Sequence, residues 1–174
     1  MLRLRPYRKS DAECVAHWIS DEVSFRKWSA DRYERYPLLP EDIRTHYEAM
    51  EDSDAFFALT AFDESGVVGH LTMRFPGADW DVVRFGFVIV DNEKRGMGYG
   101  REMLRLAIEY AFRILRVRRI TLGVFENNPT AYRCYRSVGF REIPDRQEAY
   151  RILGEDWTCL EMEPNDQTWK GDAP

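Results

Sequence analysis

Arg95-Gly96-Met97-Gly98-Tyr99-Gly100-Arg101 is the stretch of this chain whose residue types and spacing point most directly to chemistry. Glycine at alternate positions leaves the backbone unobstructed, so several N–H groups can converge on one object. Before it lies an aromatic and β-branched run, Arg84-Phe85-Gly86-Phe87-Val88-Ile89-Val90, and after it Glu102 to Leu115 carries helical periodicity without Pro or Gly. A strand, a glycine loop and a helix start in that order favour an anion. The first helical turn holds unpaired donors at the positive end of the macrodipole, which suits a phosphate or pyrophosphate.

Three phosphate-loop patterns can be set against this stretch. The nucleotide-triphosphate loop requires Gly, four residues, Gly-Lys and then Ser or Thr, and no such string occurs. The dinucleotide fingerprint requires a glycine at its sixth place, where counting from Gly96 finds Arg101. The third pattern is Arg or Gln, two residues, Gly, one residue, then Gly or Ala, and Arg95 to Gly100 match it fully. In this the chain resembles the GNAT superfamily of acyl-CoA-dependent N-acyltransferases. Taken alone, the six residues also fit a glycine-rich turn that binds nothing.

The resemblance implies acetyl-CoA as co-substrate, no metal, and a pyrophosphate resting on the amides of Gly96, Met97, Gly98, Tyr99, Gly100 and Arg101. Arg95 would fix the loop or add charge, and Arg101 would be available to a phosphate. The strand before the loop would splay from its neighbour and offer the backbone of Val88, Ile89 and Val90 to the pantetheine. Asn128-Pro129-Thr130-Ala131-Tyr132-Arg133-Cys134-Tyr135 is similar to the family's second cofactor segment. There Asn128 would meet the pantetheine arm and Tyr135 would lie near the thioester sulfur. A thiolate leaving group gains from a nearby O–H donor, which makes Tyr135 the general acid. Read by residue type alone, Tyr135 also fits a core tyrosine and Asn128 a helix cap.

An attacking amine must shed a proton before it has a lone pair to use, so a base is wanted, directly or through water. Many relatives place a Glu eleven residues before the Arg that opens the loop, or five before the Asn; here those positions hold Arg84 and Gly123. Glu126, Asp81 and His70 are the available substitutes, and the base stays unassigned. The oxyanion would meet a backbone N–H on the splayed strand, that of Val88. Cys134 beside Tyr135 invites an acyl-cysteine route, but His17, His46 and His70 form no recognisable relay with it, so direct transfer is favoured.

The elements that must position these residues follow from periodicity and punctuation. Leu2 to Arg5 reads as a strand, and Ser10-Asp11-Ala12-Glu13 has capping-box spacing for a helix to Ile19. Asp21 to Trp28 and Pro40 to Met50 read as further helices, separated by a tyrosine-rich connection. Phe56–Phe62 and Val67–Met73 flank a four-residue loop, Asp63 to Gly66, as a hairpin. Ile120–Phe125 is a strand, Asn128 caps a helix begun by Pro129, Gly139 ends it in a left-handed conformation, and Phe140 starts the next strand. Trp157–Met162 is the last strand. This order implies an α/β (α+β) domain over residues 1–164, a mixed, mostly antiparallel sheet with helices on both faces, as in the GNAT fold, followed by a polar tail over 165–174.

A chain of 174 residues with 44% hydrophobic content fits one filled core. A net charge of -5 without a basic block argues against nucleic acid and tolerates a cationic acceptor. Cys14, Cys134 and Cys159 lack the close spacing of zinc or redox motifs and read as reduced thiols; no apolar run approaches a membrane span, and the expected location is cytoplasmic. The Leu-Arg-Pro opening and the long N-terminal helical segment are similar to the branch containing ribosomal-protein alanine and polyamine acetyltransferases. That similarity implies a primary amine acceptor, a small molecule or a peptide N-terminus, held by the loops at Trp28–Pro37 and Pro76–Asp81. The aromatics between Trp28 and Tyr36 fit an acceptor pocket or a homodimer contact. Two rival readings stay open: a catalytically inactive acyl-CoA-binding regulatory module, and a binder of another phosphate ligand.

Overall fold

The computed structural model describes residues 1–165. β1 (Arg3–Pro6), β2 (Phe56–Asp63), β3 (Gly66–Arg74), β4 (Val82–Val90), β5 (Arg119–Phe125), β6 (Phe140–Ile152) and β7 (Glu155–Pro164) form one sheet. The strand order is β1-β2-β3-β4-β5-β7-β6. Among the described residues only the β4–β5 pair is parallel, which gives the mixed, mostly antiparallel sheet expected from the element order. The helices are α1 (Ala12–His17), α2 (Glu22–Ser29), α3 (Pro40–Glu48), α4 (Tyr99–Arg113) and α5 (Pro129–Ser137).

Each face of the sheet has its own core. In α4, Met103, Leu104, Ala107, Ile108 and Ala111 recur at helical spacing, and all five are buried against Leu71, Val83, Phe85, Ile120 and Leu122. Tyr135 and Val138 bring α5 to the same core. The other face carries α1, α2 and α3 around Val15, Phe25, Ile43 and Tyr47, with Ile89 supplied by β4. The sheet therefore separates a side built on α4 and α5 from a side built on α1 to α3.

Several expectations are corrected. The Ser10–Glu13 capping box does not form, because Asp11 turns inward instead. It accepts from Arg5 Nη1 and Nη2 at 2.7 and 2.9 Å, from the Arg8 amide at 2.8 Å and from the Thr60 hydroxyl at 2.8 Å, tying β1 to β2. Residues 9–11 form a 3₁₀ turn, Glu13 pairs with Arg44 of α3, and α1 ends at His17 rather than Ile19. The hairpin loop is two residues shorter than expected, since Asp63 and Gly66 are themselves paired. Its turn is held by Asp63 Oδ1, which accepts from the Ser65 amide and hydroxyl at 2.7 and 2.6 Å. α4 begins at Tyr99, not Glu102. The last hairpin is far longer than the 157–162 run: β6 spans 13 residues as a charged, largely exposed edge strand. Apart from Asn165, the tail expected over 165–174 lies outside the described residues.

Candidate active site

β4 and β5 run side by side only from Val82↔Arg119 to Phe85↔Leu122. Beyond that level β5 pairs with β7, Gly123 opposite Glu161 and Phe125 opposite Cys159, while β4 continues against β3 alone. The two strands part into a wedge, and the outer half of β4 presents backbone groups to it that have no strand partner on that side. The splay expected before the glycine loop is therefore present at Gly86 to Val90.

A bulge aims this half-strand. Between His70↔Ile89 and Thr72↔Gly86, one β3 residue faces both Phe87 and Val88, and Phe87 takes a left-handed φ of 48°. The alternation of side chains slips by one position there. Phe85, Val88 and Val90 join the α4–α5 core, while Phe87 and Ile89 join the α1–α3 core. Nothing in the run Phe85-Gly86-Phe87-Val88 announces the bulge except the glycine before it.

The loop after β4 is fastened at its start by Arg95, whose Nε donates to the Val90 carbonyl at 3.2 Å. Gly96 and Gly98 have φ of 75° and 90°, and a side chain at either would meet nothing within 4 Å. The concave side of the loop is open, and Gly98 stands as the left-handed N-cap of α4. Its carbonyl accepts from the Glu102 amide at 3.0 Å, so the preceding first-turn donors have no partner inside the helix. These features fit a pyrophosphate.

The loop's side chains divide their work. Tyr99 points away from the loop, its hydroxyl donating to Asp63 at 2.7 Å on the β2–β3 turn, and contributes only backbone at the loop. Met97 and Arg101 are exposed. Gly100 has a different role from the other two glycines: a methyl group there would lie 3.2 Å from Cys134 Sγ and 3.5 Å from Val90 Cγ2. It lets α4 pack closely on β4 and α5.

In α5, Asn128 Oδ1 accepts from the Ala131 amide at 3.3 Å, and Pro129 occupies the first turn. Tyr135 is 7% exposed and packs on Phe140 with ring centroids 6.1 Å apart. It belongs to the same core that Val88 and Val90 pack against. Burial pushes the Tyr135 hydroxyl well above the ordinary tyrosine range, with smaller contributions from Cys134 and Cys159, and keeps it protonated. Burial also raises Cys134, which disfavours the thiolate that an acyl-cysteine route needs.

Across the wedge, on the α1–α3 side, Phe87 is ringed by aromatic groups. Trp28, Tyr33 and His46 lie 4.9, 5.7 and 5.7 Å from it, centroid to centroid, and Trp28 stacks on Tyr33. These aromatics, which fit an acceptor pocket or a homodimer contact, are packed within the chain: Tyr33 is 7% exposed, and Trp28 and Tyr36 are half-buried. Burial, then Arg32, holds His46 below the ordinary histidine range. Sequence reasoning missed His46 at this place, because a lone histidine on a helix gives no sign of which strand it will meet.

The substitute bases fare poorly. Asp81 sits just before β4, where its carbonyl accepts from the Arg118 and Arg119 amides and its carboxylate pairs with Arg118 at 3.5 Å. His70 is fully buried against Tyr47, its Nε2 2.7 Å from the Tyr47 hydroxyl, and burial lowers its pKa to about 4. Glu126 is exposed on the turn after β5. The two departures from the family pattern, by contrast, touch each other: a methyl group on Gly123 would lie 2.8 Å from Arg84 Nη2. Arg84 is ion-paired with Glu161 of β7, a carboxylate that only strand pairing could bring there. Among the described residues, no cluster of His, Cys, Asp and Glu could hold a metal ion, and no helix is long and apolar enough to cross a membrane.

Comparison with known proteins accords with this geometry. Residues 1–141 match the family model described as an acetyltransferase (GNAT) domain. Spermidine N(1)-acetyltransferase of Vibrio cholerae is 34% identical over 157 residues, covering 88% of this chain and 86% of that protein. N-alpha-acetyltransferase RimI of Mycobacterium tuberculosis is 32% identical over 93 residues, 53% of this chain and 54% of its own. Among solved structures, spermidine N-acetyltransferase from Vibrio cholerae in complex with CoA and spermine superposes with a TM-score of 0.80 at 20% identity, covering 98% of each chain.

Proposed function

Because this chain belongs to the GNAT acetyltransferase family, we propose that it seats acetyl-CoA in the wedge between β4 and β5 and passes the acetyl group directly to a primary amine arriving from the α1–α3 side. The observation that carries this reading is the parting of β4 from β5 after Phe85 and Leu122, with the open glycine loop at the end of the parted strand. When bound, acetyl-CoA supplies the activated acyl group. The amides from Gly96 to Arg101 hold its diphosphate, Arg95 anchors the loop, and the backbone of Val88, Ile89 and Val90 with Asn128 aligns the pantetheine arm.

The remaining chemistry belongs to protein groups. The Val88 amide meets the carbonyl oxygen as negative charge gathers on it. The amine attacks in its neutral form and releases its proton to water, while the Tyr135 hydroxyl gives its proton to the departing sulfur, its raised pKa keeping that proton in place beforehand. The acceptor is a primary amine of a small molecule or of a peptide N-terminus. The three cysteines are free, in keeping with a reducing, cytoplasmic setting.

Release of CoA thiol from acetyl-CoA, followed across a panel of amines for the wild type and Tyr135→Phe, tests the reading. Amine-dependent release that collapses in the variant supports it. Tight acetyl-CoA binding with no release for any amine would instead identify a regulatory binding module.

A further inference from the structure

Resting on the acetyl-transfer reading above, we infer that the acceptor amine carries an oxyanion, a carboxylate or a phosphate group, and that Arg74 beside Arg84 is its binding site. Arg74 ends β3 and lies directly opposite Arg84 of β4. Like charges facing each other across an antiparallel pair oppose folding unless an anion joins them. One anion is built in: Glu161 pairs with Arg84. Arg74 is half-buried, and no ion pair engages it among the described residues. Burial first, then the charges of Arg32 and Arg84, lower its pKa, the direction that an added anion would reverse.

The place is right for a substrate. Position 84 lies three residues before the bulge at Phe87, about 10 Å along an extended strand. The Arg84 guanidinium reaches across β5 to Gly123, one residue past the last β4–β5 pair, so it stands at the mouth of the wedge. The uncharged groups on the same face agree with the charged ones. Trp28 Nε1 and the Tyr33 hydroxyl are buried without a partner, and both rings pack on Phe87. An indole N–H can only donate, and a hydroxyl can donate or accept, so neither group repels an anion.

The two arginines whose charges Arg74 feels have carboxylates of their own: Glu161 serves Arg84, and Asp31 lies 3.7 Å from Arg32. An acceptor with further ammonium groups would bring them against Arg74, whereas one with an oxyanion would complete the cluster.

The test uses the full chain and matched amines: 4-aminobutyrate against putrescine, and O-phosphoethanolamine against ethanolamine. The anionic member of at least one pair is expected to have a kcat/KM about tenfold or more above its partner, the range for hydrogen bonds to a charged group. Arg74→Gln removes that advantage, chiefly through KM, and leaves the rate with ethanolamine within about twofold. Arg74→Glu moves the preference toward putrescine. Binding is read separately from turnover: acetate or inorganic phosphate should raise the Tm of the wild type and leave that of Arg74→Gln unmoved. Equal use of both members of each pair, or an equal effect of Arg74→Gln on both, overturns the inference while acetyl transfer itself stands. Loss of acetyl-CoA binding or of all amine-dependent thiol release overturns the transfer reading beneath it, and the inference with it.

Discussion

Replacing Gly100 by alanine separates two reasons for a glycine in the loop before α4, amide exposure and close packing. Gly100 is the second residue of α4 and does not need a left-handed φ. Its added methyl would sit 3.2 Å from Cys134 Sγ, about 0.5 Å inside ordinary contact, and 3.5 Å from Val90 Cγ2. Overpacking of this kind costs about 1–3 kcal/mol. The better helix propensity of alanine offsets up to ~1 kcal/mol, leaving Gly100→Ala destabilised by about 1 kcal/mol. Cys134→Ala removes the sulfur and costs ~1 kcal/mol through the void it leaves. In the double variant the new methyl occupies space vacated by the sulfur, so the combined loss should fall short of the sum by about 1 kcal/mol. Urea unfolding of the four proteins measures that coupling. Acetyl-CoA titration supplies the functional readout, because a clash relieved by lifting the first turn of α4 from Val90 disturbs the loop. Affinity should drop about threefold to tenfold in Gly100→Ala and recover in the double variant, a difference of about 1 kcal/mol. Losses that add within about 0.3 kcal/mol would refute the packing role.

Tyr135→Phe keeps the ring against Phe140 while removing the proton donor, and steady-state kinetics should show kcat reduced about 100-fold with acetyl-CoA affinity within about twofold. Asn128→Ala should cost ~1 kcal/mol by urea denaturation, through loss of the cap on α5, whereas Asn128→Asp keeps the cap and isolates any contribution to acetyl-CoA binding. His70 titrates near 4 when folded and near 6.5 when unfolded, so below pH 6.5 the unfolded chain binds more protons. Stability should therefore decline as pH falls from 6.5 to 4, by ~3 kcal/mol for this group, and His70→Gln should flatten the slope in that window. Asp11 differs: burial opposes its charge, but hydrogen bonds from Arg5, Arg8 and Thr60 win and lower its pKa, so its loss falls below pH 3.8.

What could be read from the chain beforehand depended on whether a local rule decided the matter. Gly96 and Gly98 adopt backbone angles that other residues resist, Asn128-Pro129 forms a cap within three residues, and Asp63 to Gly66 makes a turn from its own side chains. Those features were legible. Ser10 failed as a cap because Asp11 has better partners in Arg5 and Thr60, and Thr60 lies 49 residues away. β6 was hidden by its exposure on both sides, which erases hydrophobic alternation. The bulge at Phe87 interrupts a run that reads as regular strand. Glu161 reaches Arg84 only through the β5–β7 pairing, and His46 reaches Phe87 only because α3 lies over the sheet. The proposed cofactor side of the site was written in local motifs, and the proposed acceptor side in long-range contacts.

Residue-resolved amide hydrogen exchange with and without acetyl-CoA tests the central claim most directly. New protection is expected at Val88 to Val90 and from Gly96 to Arg101, with little change along β6 or at the β2–β3 turn. Protection elsewhere, with the amides of the glycine loop exchanging as freely as before, would contradict it.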